Sequence, residues 1–382
     1  MKSVIQTVFQ KHFEAYRAKH NLPLHVIKAI RSICKCRTEE LGGHVLRCPD
    51  GHVEKVWYNS CKHRFCPICS FVEIGRWIHK QVNRLPDCDY YHTIFTLPWE
   101  LNRVWEFNRK LFAKLLFKAA WECLKELLAD PKYLGALPGA IASFHSWTQA
   151  IWIHPHVHFL VTGGGMTPDG KWVNVKKDFL LPARVVSAKF RGKFLAFLRR
   201  ALQKEELVPP DDMTEQQLLN LLNKLGRKKW HVMIMPPYRH GKGVIKYLGR
   251  YVRGGPISNS RVTMETEDSV RLRCKNEDRT GHNFMTLSIS EFISRMVRHV
   301  PPEGAHLTRC YGLLDRRKRE QLNAARSFLG QLPVADDDSI TWQAVCAQAG
   351  NNRPDVCPVC GKSLIQCELS STGLSPPCLT AA

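Results

Sequence analysis

Apolar positions change their period along this chain, and the changes mark its elements. Val4, Ile5, Val8, Phe9, Phe13 and Tyr16 recur at the three and four spacing of one helical face until Asn21-Leu22-Pro23 stops them. A second short helix is predicted from about Leu24 to Ile33. Between Cys34 and Ser70 the chain is polar and cysteine-rich, with no long periodic run. "YYHTIFTLP", Tyr90 to Pro98, is β-branched and aromatic and predicts a strand closed by proline. Helical spacing returns over Leu101 to Ala129, with Val104, Trp105, Phe112, Leu115, Leu116 and Ala119 in phase, and ends at Asp130-Pro131. Gly139 to Ile153 and then "HPHVHFLVTGG" read as neighbouring strands joined by a tight connection.

The second half alternates more quickly. Helices are predicted over Val185 to Leu207 and Thr214 to Leu225, and a strand within Lys228 to Pro237. A glycine turn, "RHGKG", leads into the short helix "VIKYLGRYVR", followed by the strand-like pieces "SRVTMET", "SVRLRCK" and "NFMTLSI". Glu291 to Val300 reads as a helix ended by Pro301-Pro302, and "VADDDS" as a linker to a final cysteine-rich stretch. No internal repeat breaks this order.

Charge narrows the class of partner. The 382 residues include 56 Lys and Arg against 34 Asp and Glu, a formal net charge of +22, which points to a polyanion, nucleic acid before acidic membrane. The first twenty residues contain no uninterrupted apolar stretch, and no apolar run of membrane-spanning length follows. The expectation is a soluble cytoplasmic protein with no membrane partner. Of the 15 cysteines, six fall between Cys34 and Cys69 and five between Cys346 and Cys378. In a reducing compartment such clustering favours metal sites over disulfides.

Three constellations carry chemistry. Cys36, Cys48, Cys61, Cys66 and Cys69, with His44, His52 and His63 among them, offer more thiolates and imidazoles than one tetrahedral zinc needs, and "CPIC" has the spacing of a zinc knuckle. The stretch offers no obviously placed carboxylate to act as a base, so a structural Zn²⁺ is expected. Cys357 and Cys360 repeat the knuckle spacing, and Cys367 with Cys346 or Cys378 could complete a second zinc site. The third constellation is "HPHVHFLVTGGG". Period-two alternation puts His154, His156 and His158 on one side of a strand, the layout of a metal or phosphate site. Pro155 cannot donate to a sheet, so His154 is expected at the strand mouth as a supporting residue, with His156 and His158 inside. Tyr247 and Tyr251 are four apart and share a helical face, with Lys246, Arg250 and Arg253 beside them as phosphate-binding candidates.

These stretches, "CRTEELGGHVLRC", "NSCKHRFCPIC", "YHTIFTLP", "HPHVHFLVTGGG", "YLGRYV" and "EFISRMVRHVPPEGAHLTRCYGLL", span residues 34 to 314. In their order the chain resembles the two-tyrosine HUH, or rolling-circle, transposases of bacterial insertion sequences. The resemblance implies an α+β fold, an antiparallel-sheet HUH nuclease core with flanking helices behind a small zinc-binding module. It implies that His156 and His158 hold a catalytic Mg²⁺ or Mn²⁺. Tyr247 and Tyr251 would then attack DNA to leave 5′-phosphotyrosine links. The implied partners are single-stranded transposon ends and target DNA near the bacterial nucleoid, with room for a homo-oligomer. Relatives usually carry a second cysteine shortly after the position of Cys48. Here the chain reads Cys48-Pro49-Asp50-Gly51-His52, so His52 is the expected substitute, with Cys34 or His44 as alternatives. The third ligand of the catalytic metal stays open between candidates such as Gln149 and His145 on the neighbouring strand.

The chain is therefore expected to divide into a helical lead-in and zinc module over 1–80, a nuclease core over 85–300 and a basic C-terminal region over 301–382. Two rivals share parts of the pattern: an HUH replication initiator or relaxase, and a zinc-dependent DNA-binding regulator without catalysis. Histidine-triad nucleotide hydrolases share the alternating histidines, but they have no need of the zinc module, the charge or "YLGRYV".

Overall fold

The computed structural model describes residues 3–239, 241, 243, 245, 246, 249, 255–276, 280–335, 339–348, 350, 353 and 355–368. The chain forms two compact units that interleave in sequence. One comprises Met1–Arg76, Arg253–Val300 and Ser339–Ala382, the other Trp77–Val252 and Pro301–Asp338. Contacts thus regroup the three consecutive regions expected from the sequence. Residues 253–300 and 339–382 belong with the N-terminal module, and 301–338 belong with the core. Long-range strand pairing of residues 44–47 with 365–368 and of residues 139–143 with 308–312, and packing of residues from 253–300 on the first helix, are the reason, and a linear reading does not register them.

The first unit opens with helices α1 (Val4–Ala18) and α2 (Leu24–Lys35). Ser3 caps α1 through its hydroxyl and also bonds Asn259 at 2.7 Å. Strands β1 (Gly43–Arg47) and β2 (Glu54–Tyr58) form a hairpin inside the stretch that carries no periodic signal. Few of its side chains are buried on either face, so no clean alternation betrays it. β13 (Ile365–Glu368) lies antiparallel along the other edge of β1, pairing Ile365 with Arg47 and Glu368 with His44. A separate meander of β9 (Val262–Glu265), β10 (Ser269–Lys275) and β11 (His282–Ser288) leads into α8 (Ile289–Val297), and α10 (Trp342–Gln348) precedes the final knuckle. The division between the units falls within α3 (Ser70–Arg84), a helix the apolar pattern did not predict.

The second unit is built on one antiparallel sheet. Its strands are β3 (Asp89–Thr96), β4 (Leu137–Trp147), β5 (Ile153–Met166), β7 (Val232–Ile234) and β12 (Thr308–Gly312), in the order β12-β4-β5-β3-β7. β6 (Trp172–Asn174) adds to β5 and β8 (Tyr238–Arg239) to β3. The region 101–129, expected as one helix, is two, α4 (Asn102–Phe107) and α5 (Arg109–Leu128). Asn108 breaks it: its amide donates to the carbonyls of Val104 and Val208 at 2.9 and 2.7 Å and accepts from the Val208 N–H, so its side chain competes with the helix ladder. Two amphipathic helices, α6 (Ala183–Gln203) and α7 (Glu215–Arg227), complete the layer, α7 behind a capping box of Thr214 and Gln217.

Alternation along β3, β4 and β5 separates the two faces of this sheet. Phe95, Ala140, Ala142, Phe144, Val157, Phe159 and Val161 pack into one large core with α5 and α6, including Phe112, Phe190 and Phe194. The opposite face carries Tyr90, Ile141 and Leu160 in a second cluster with Leu85, Ile245, Leu314 and Leu322, the last from α9 (Arg319–Phe328). His92, His145, His156 and His158 stand on this second face, further along the same strands. Phe159 is fully buried, with ring contacts to Phe95 and Tyr311 at 5.8 Å each. Phe159→Ala is predicted to cost about 3–5 kcal/mol in urea unfolding, because it removes both transfer energy and packing between Phe95 and Tyr311; a loss below 1 kcal/mol contradicts this packing.

Candidate active site and metal centres

The register between β4 and β5 assembles the histidine cluster. His145 stands opposite His156 and Ser143 opposite His158, so three imidazoles from two strands share one face. The ligand atoms of His145, His156 and His158 all lie within 4.8 Å of one another. His145 and His158 are almost fully buried. Sequence spacing leaves the third position open; the pairing brings His145 to it, while Gln149 falls in the exposed turn after β4.

Hydrogen bonds select which nitrogen of His156 and of His158 faces the cluster. His156 Nδ1 lies 2.6 Å from the carbonyl of His154 and must carry the proton it donates there, leaving Nε2 with its lone pair. His158 Nδ1 lies 2.8 Å from Nε2 of His92, a buried residue on β3. His92 therefore orients His158 as an outer-shell partner orients a metal ligand. Sequence reasoning did not single it out, although strand alternation from Tyr90 aims it at the same face. β5 also begins ahead of Pro155, at Ile153, which differs from the expected strand mouth at His154. A register shift between His145 and Trp147 accommodates the missing N–H, and the Pro155 carbonyl still accepts from Leu97 at 3.2 Å.

Burial governs the charge of these rings. Desolvation holds His145 and His158 well below the ordinary imidazole value and lowers His156 to about 4. Neutral imidazoles are the ligating form, so at neutral pH the cluster fits a divalent cation without shedding protons. Tyr247, Tyr251, Arg250 and Arg253 lie outside the described residues; Lys246 is exposed.

The cysteines sort into two groups. Cys36, Cys61, Cys66 and Cys69 converge in one. Gln6 fixes its first member by reaching the carbonyls of Ile33, Cys34 and Cys36 at 2.9, 3.0 and 2.7 Å. Cys61 Sγ and Cys69 Sγ are 3.7 Å apart, close to the edge of about 3.8 Å that a tetrahedron of Zn–S bonds near 2.3 Å requires. The amides of Cys61 and Ile68 point at the sulfurs of Cys36 and Cys66, 3.5 and 3.4 Å away, as donors to thiolates do. Hydrogen bonds among the four sulfurs pull Cys69 down and push Cys66 up, so a dication is needed for all four to ionise together. These residues fit a structural zinc, which would tie the C-terminal end of α2 at Cys36 to the loop that carries Cys61, Cys66 and Cys69.

Cys48 and His52 depart from that set and join Cys357 and Cys360 instead. The sequence grouping is thus redistributed: Cys48 and His52 leave the first set, and Cys367 is not in the second. Cys367 pairs with Val45 in the sheet, and Cys346 is buried on α10 outside both groups. Cys378 lies outside the described residues. Burial raises the Cys34 thiol to about 11, and His44 sits in β1; neither joins a group. His63 accepts from the Phe65 amide at 3.2 Å.

A groove of about 1020 Å³ borders the edge strand β12 in the second unit. Lys80, Lys125, Arg309 and Arg316 line it together with Trp121 and Tyr311, whose rings stack at 4.9 Å. Cationic side chains interleaved with aromatic faces are the chemistry that tracks a nucleic-acid backbone and its bases. Among the described residues no helix is long and apolar enough to cross a membrane.

The buried neutral imidazoles predict an acid-sensitive core. In metal-free protein the unfolded chain binds protons below pH 6.5 that folded His145 and His158 refuse, so stability falls with pH. At pH 5 the loss is on the order of 2 kcal/mol per imidazole, measured as a drop in urea midpoint from pH 7.5 in EDTA. Equal midpoints contradict the buried neutral state.

Two family descriptions match the chain: "Transposase zinc-binding domain" over residues 8–97 and "Putative transposase" over residues 139–321. The chain is 37% identical over 344 residues to "Putative transposase y4qJ" of Sinorhizobium fredii, covering 88% of this chain and 86% of that relative. It is 29% identical over 299 residues to "Transposase for insertion sequence element IS801" of Pseudomonas savastanoi pv. phaseolicola, covering 76% of this chain and 70% of that protein. No solved structure matches it. With a zinc-binding module at its N-terminus, a histidine-bearing antiparallel sheet in its core and relatives along most of its length, this chain belongs to the IS91/IS801 family of insertion-sequence transposases, enzymes that cut and join DNA.

Proposed function

We propose that this transposase cuts and rejoins single-stranded DNA at the ends of its element by a metal-assisted tyrosine mechanism. The observation that carries the reading is the convergence of His145, His156 and His158 on one buried sheet face, with His156 and His158 each held at Nδ1 by a neighbour. Ile245, two residues before Tyr247, is fully buried in the apolar cluster on that same face. That burial supports bringing the tyrosine segment to the histidines.

A divalent cation held by the three imidazoles would act as a Lewis acid on a scissile phosphate. The chain supplies the rest. A Tyr247 or Tyr251 oxygen forms a bond to phosphorus, the bond to the 3′ oxygen breaks, and that oxygen leaves as a 3′-hydroxyl with the proton the phenol has lost. The 5′ end remains on the tyrosine, and attack by another 3′-hydroxyl reverses the step and rejoins DNA without ATP. Two tyrosines allow one to stay loaded while the other cuts. Lys246, Arg250 and Arg253 would steady phosphate oxygens. The basic aromatic groove beside β12 offers a track for a single strand, whose bases can stack where a duplex would hide them. The zinc module would contribute recognition of the element's end, and a homo-oligomer would let two ends be processed together.

The donor set also bears on the metal. Mg²⁺ demands oxygen ligands, whereas imidazoles suit later, softer ions, so Mn²⁺ is predicted to support cleavage better than Mg²⁺. The test incubates the protein with single-stranded oligonucleotides from the element's ends and resolves the products on a denaturing gel. A covalent adduct should form with Mn²⁺, vanish in EDTA and be absent when Tyr247→Phe and Tyr251→Phe are combined. His92→Ala should raise the metal concentration needed by about 10- to 100-fold without removing the adduct. An adduct that survives EDTA, or the double tyrosine change, rules out this mechanism.

A further inference from the structure

We infer that Cys48, His52, Cys357 and Cys360 form a second structural zinc site that clasps the C-terminal segment onto the N-terminal β1–β2 hairpin. This inference stands apart from the cleavage mechanism, since it concerns only the first unit. Cys48 and Cys360 are 312 positions apart, yet their sulfurs lie 3.5 Å from each other. That separation is far beyond the S–S bond of about 2.05 Å and near the edge of a zinc tetrahedron. Cys48 Sγ lies 3.6 Å from His52 Nδ1, which equals the edge of about 3.6 Å given by Zn–S near 2.3 Å and Zn–N near 2.05 Å. Three thiolates and one imidazole complete four-coordination with no open position, the mark of a structural site.

The backbone explains why the four meet. β1 ends at Arg47, which pairs with Ile365, the first residue of β13. The residues just beyond that pair on each strand, Cys48 on one side and the knuckle ending at Leu364 on the other, are therefore brought side by side. Both halves are tight turns. The Gly51 amide bonds the Cys48 carbonyl at 3.0 Å, and the Gly361 amide bonds the Cys357 carbonyl at 3.0 Å. Gly51 and Gly361 both have positive φ, 77° and 72°, which the turns require.

Apolar burial does not hold this segment. Val359 and Ile365 are 67% and 55% exposed, and β13 has four residues. The Lys362–Asp50 ion pair at 2.8 Å does cross between the knuckles, but both side chains are solvated and the pair contributes little. A segment with so little core is held by metal, whose binding energy is then folding energy. On this account the zinc-binding module that begins near residue 8 is completed by residues 355–368. His52 supplies the fourth donor and closes the shell.

Zinc content per full-length chain, measured after dialysis and compared with the parent, tests this. Cys48→Ser, Cys357→Ser and the two combined should each lose one equivalent, while Cys367→Ser and Cys346→Ser lose none. Limited proteolysis should release the C-terminal segment from the Cys48→Ser chain, although the substitution lies at the other end of the sequence. His52→Cys should retain the parent zinc content, and in cobalt-substituted protein it should shift the ligand-field bands of one site toward those of four thiolates. Parent zinc content in Cys48→Ser, a two-equivalent loss in the combined variant, a loss in Cys367→Ser, or a cobalt spectrum unchanged by His52→Cys would each overturn the clasp.

Discussion

The antiparallel register of β4 against β5 fixes the position of every candidate ligand in the histidine cluster. Because His145 faces His156 and Ser143 faces His158, one sheet face gathers three imidazoles, while the alternating Phe144, Val157 and Phe159 point into the aromatic core. A slip of one residue would exchange the faces, sending histidines into the core and phenylalanines to the site. The depth of the core on the far side is therefore what specifies the site. The same burial keeps the rings neutral, and the His154 carbonyl and His92 decide which nitrogen His156 and His158 present.

Metal chemistry divides the labour differently in the two units. In the core unit, a well-packed scaffold prepares a site of neutral donors, so a metal bound there would serve chemistry and not folding. In the other unit the order is reversed. Cysteines from short loops with little apolar burial converge, and their sulfurs crowd too closely to ionise together without a cation. There the ion would tie short loops to the packed helices. Clustered thiols in one unit and clustered imidazoles in the other thus answer different physical needs.

Much of this was legible in the sequence where a single period governs a segment. α1, β3 and the alternation of His156 and His158 follow from local spacing alone. What the sequence hid depends on long-range pairing. His145, a candidate beside Gln149 in the sequence, is selected only through β4–β5 register, and His92 emerges only through β3–β5 pairing. The division of cysteines between two groups depends on β13 meeting β1, more than three hundred residues away. α3 was missed because it starts directly from the CPIC knuckle, at the very end of the stretch read as non-periodic. Asn108 split the long helix by a side-chain bond to Val208, a residue 100 positions on. Tyr247 and Tyr251 are motivated by motif and by the burial of Ile245.

The central claim is that one face of the β4–β5 pair is a three-imidazole divalent metal site. Pulsed electron paramagnetic resonance of Mn²⁺ bound to the zinc-loaded chain, with histidine labelled in ¹⁵N, tests it most directly. The account predicts hyperfine coupling to three imidazole nitrogens, reduced to two in His145→Ala. Manganese that shows no histidine coupling, or coupling unchanged by loss of His145, would contradict it.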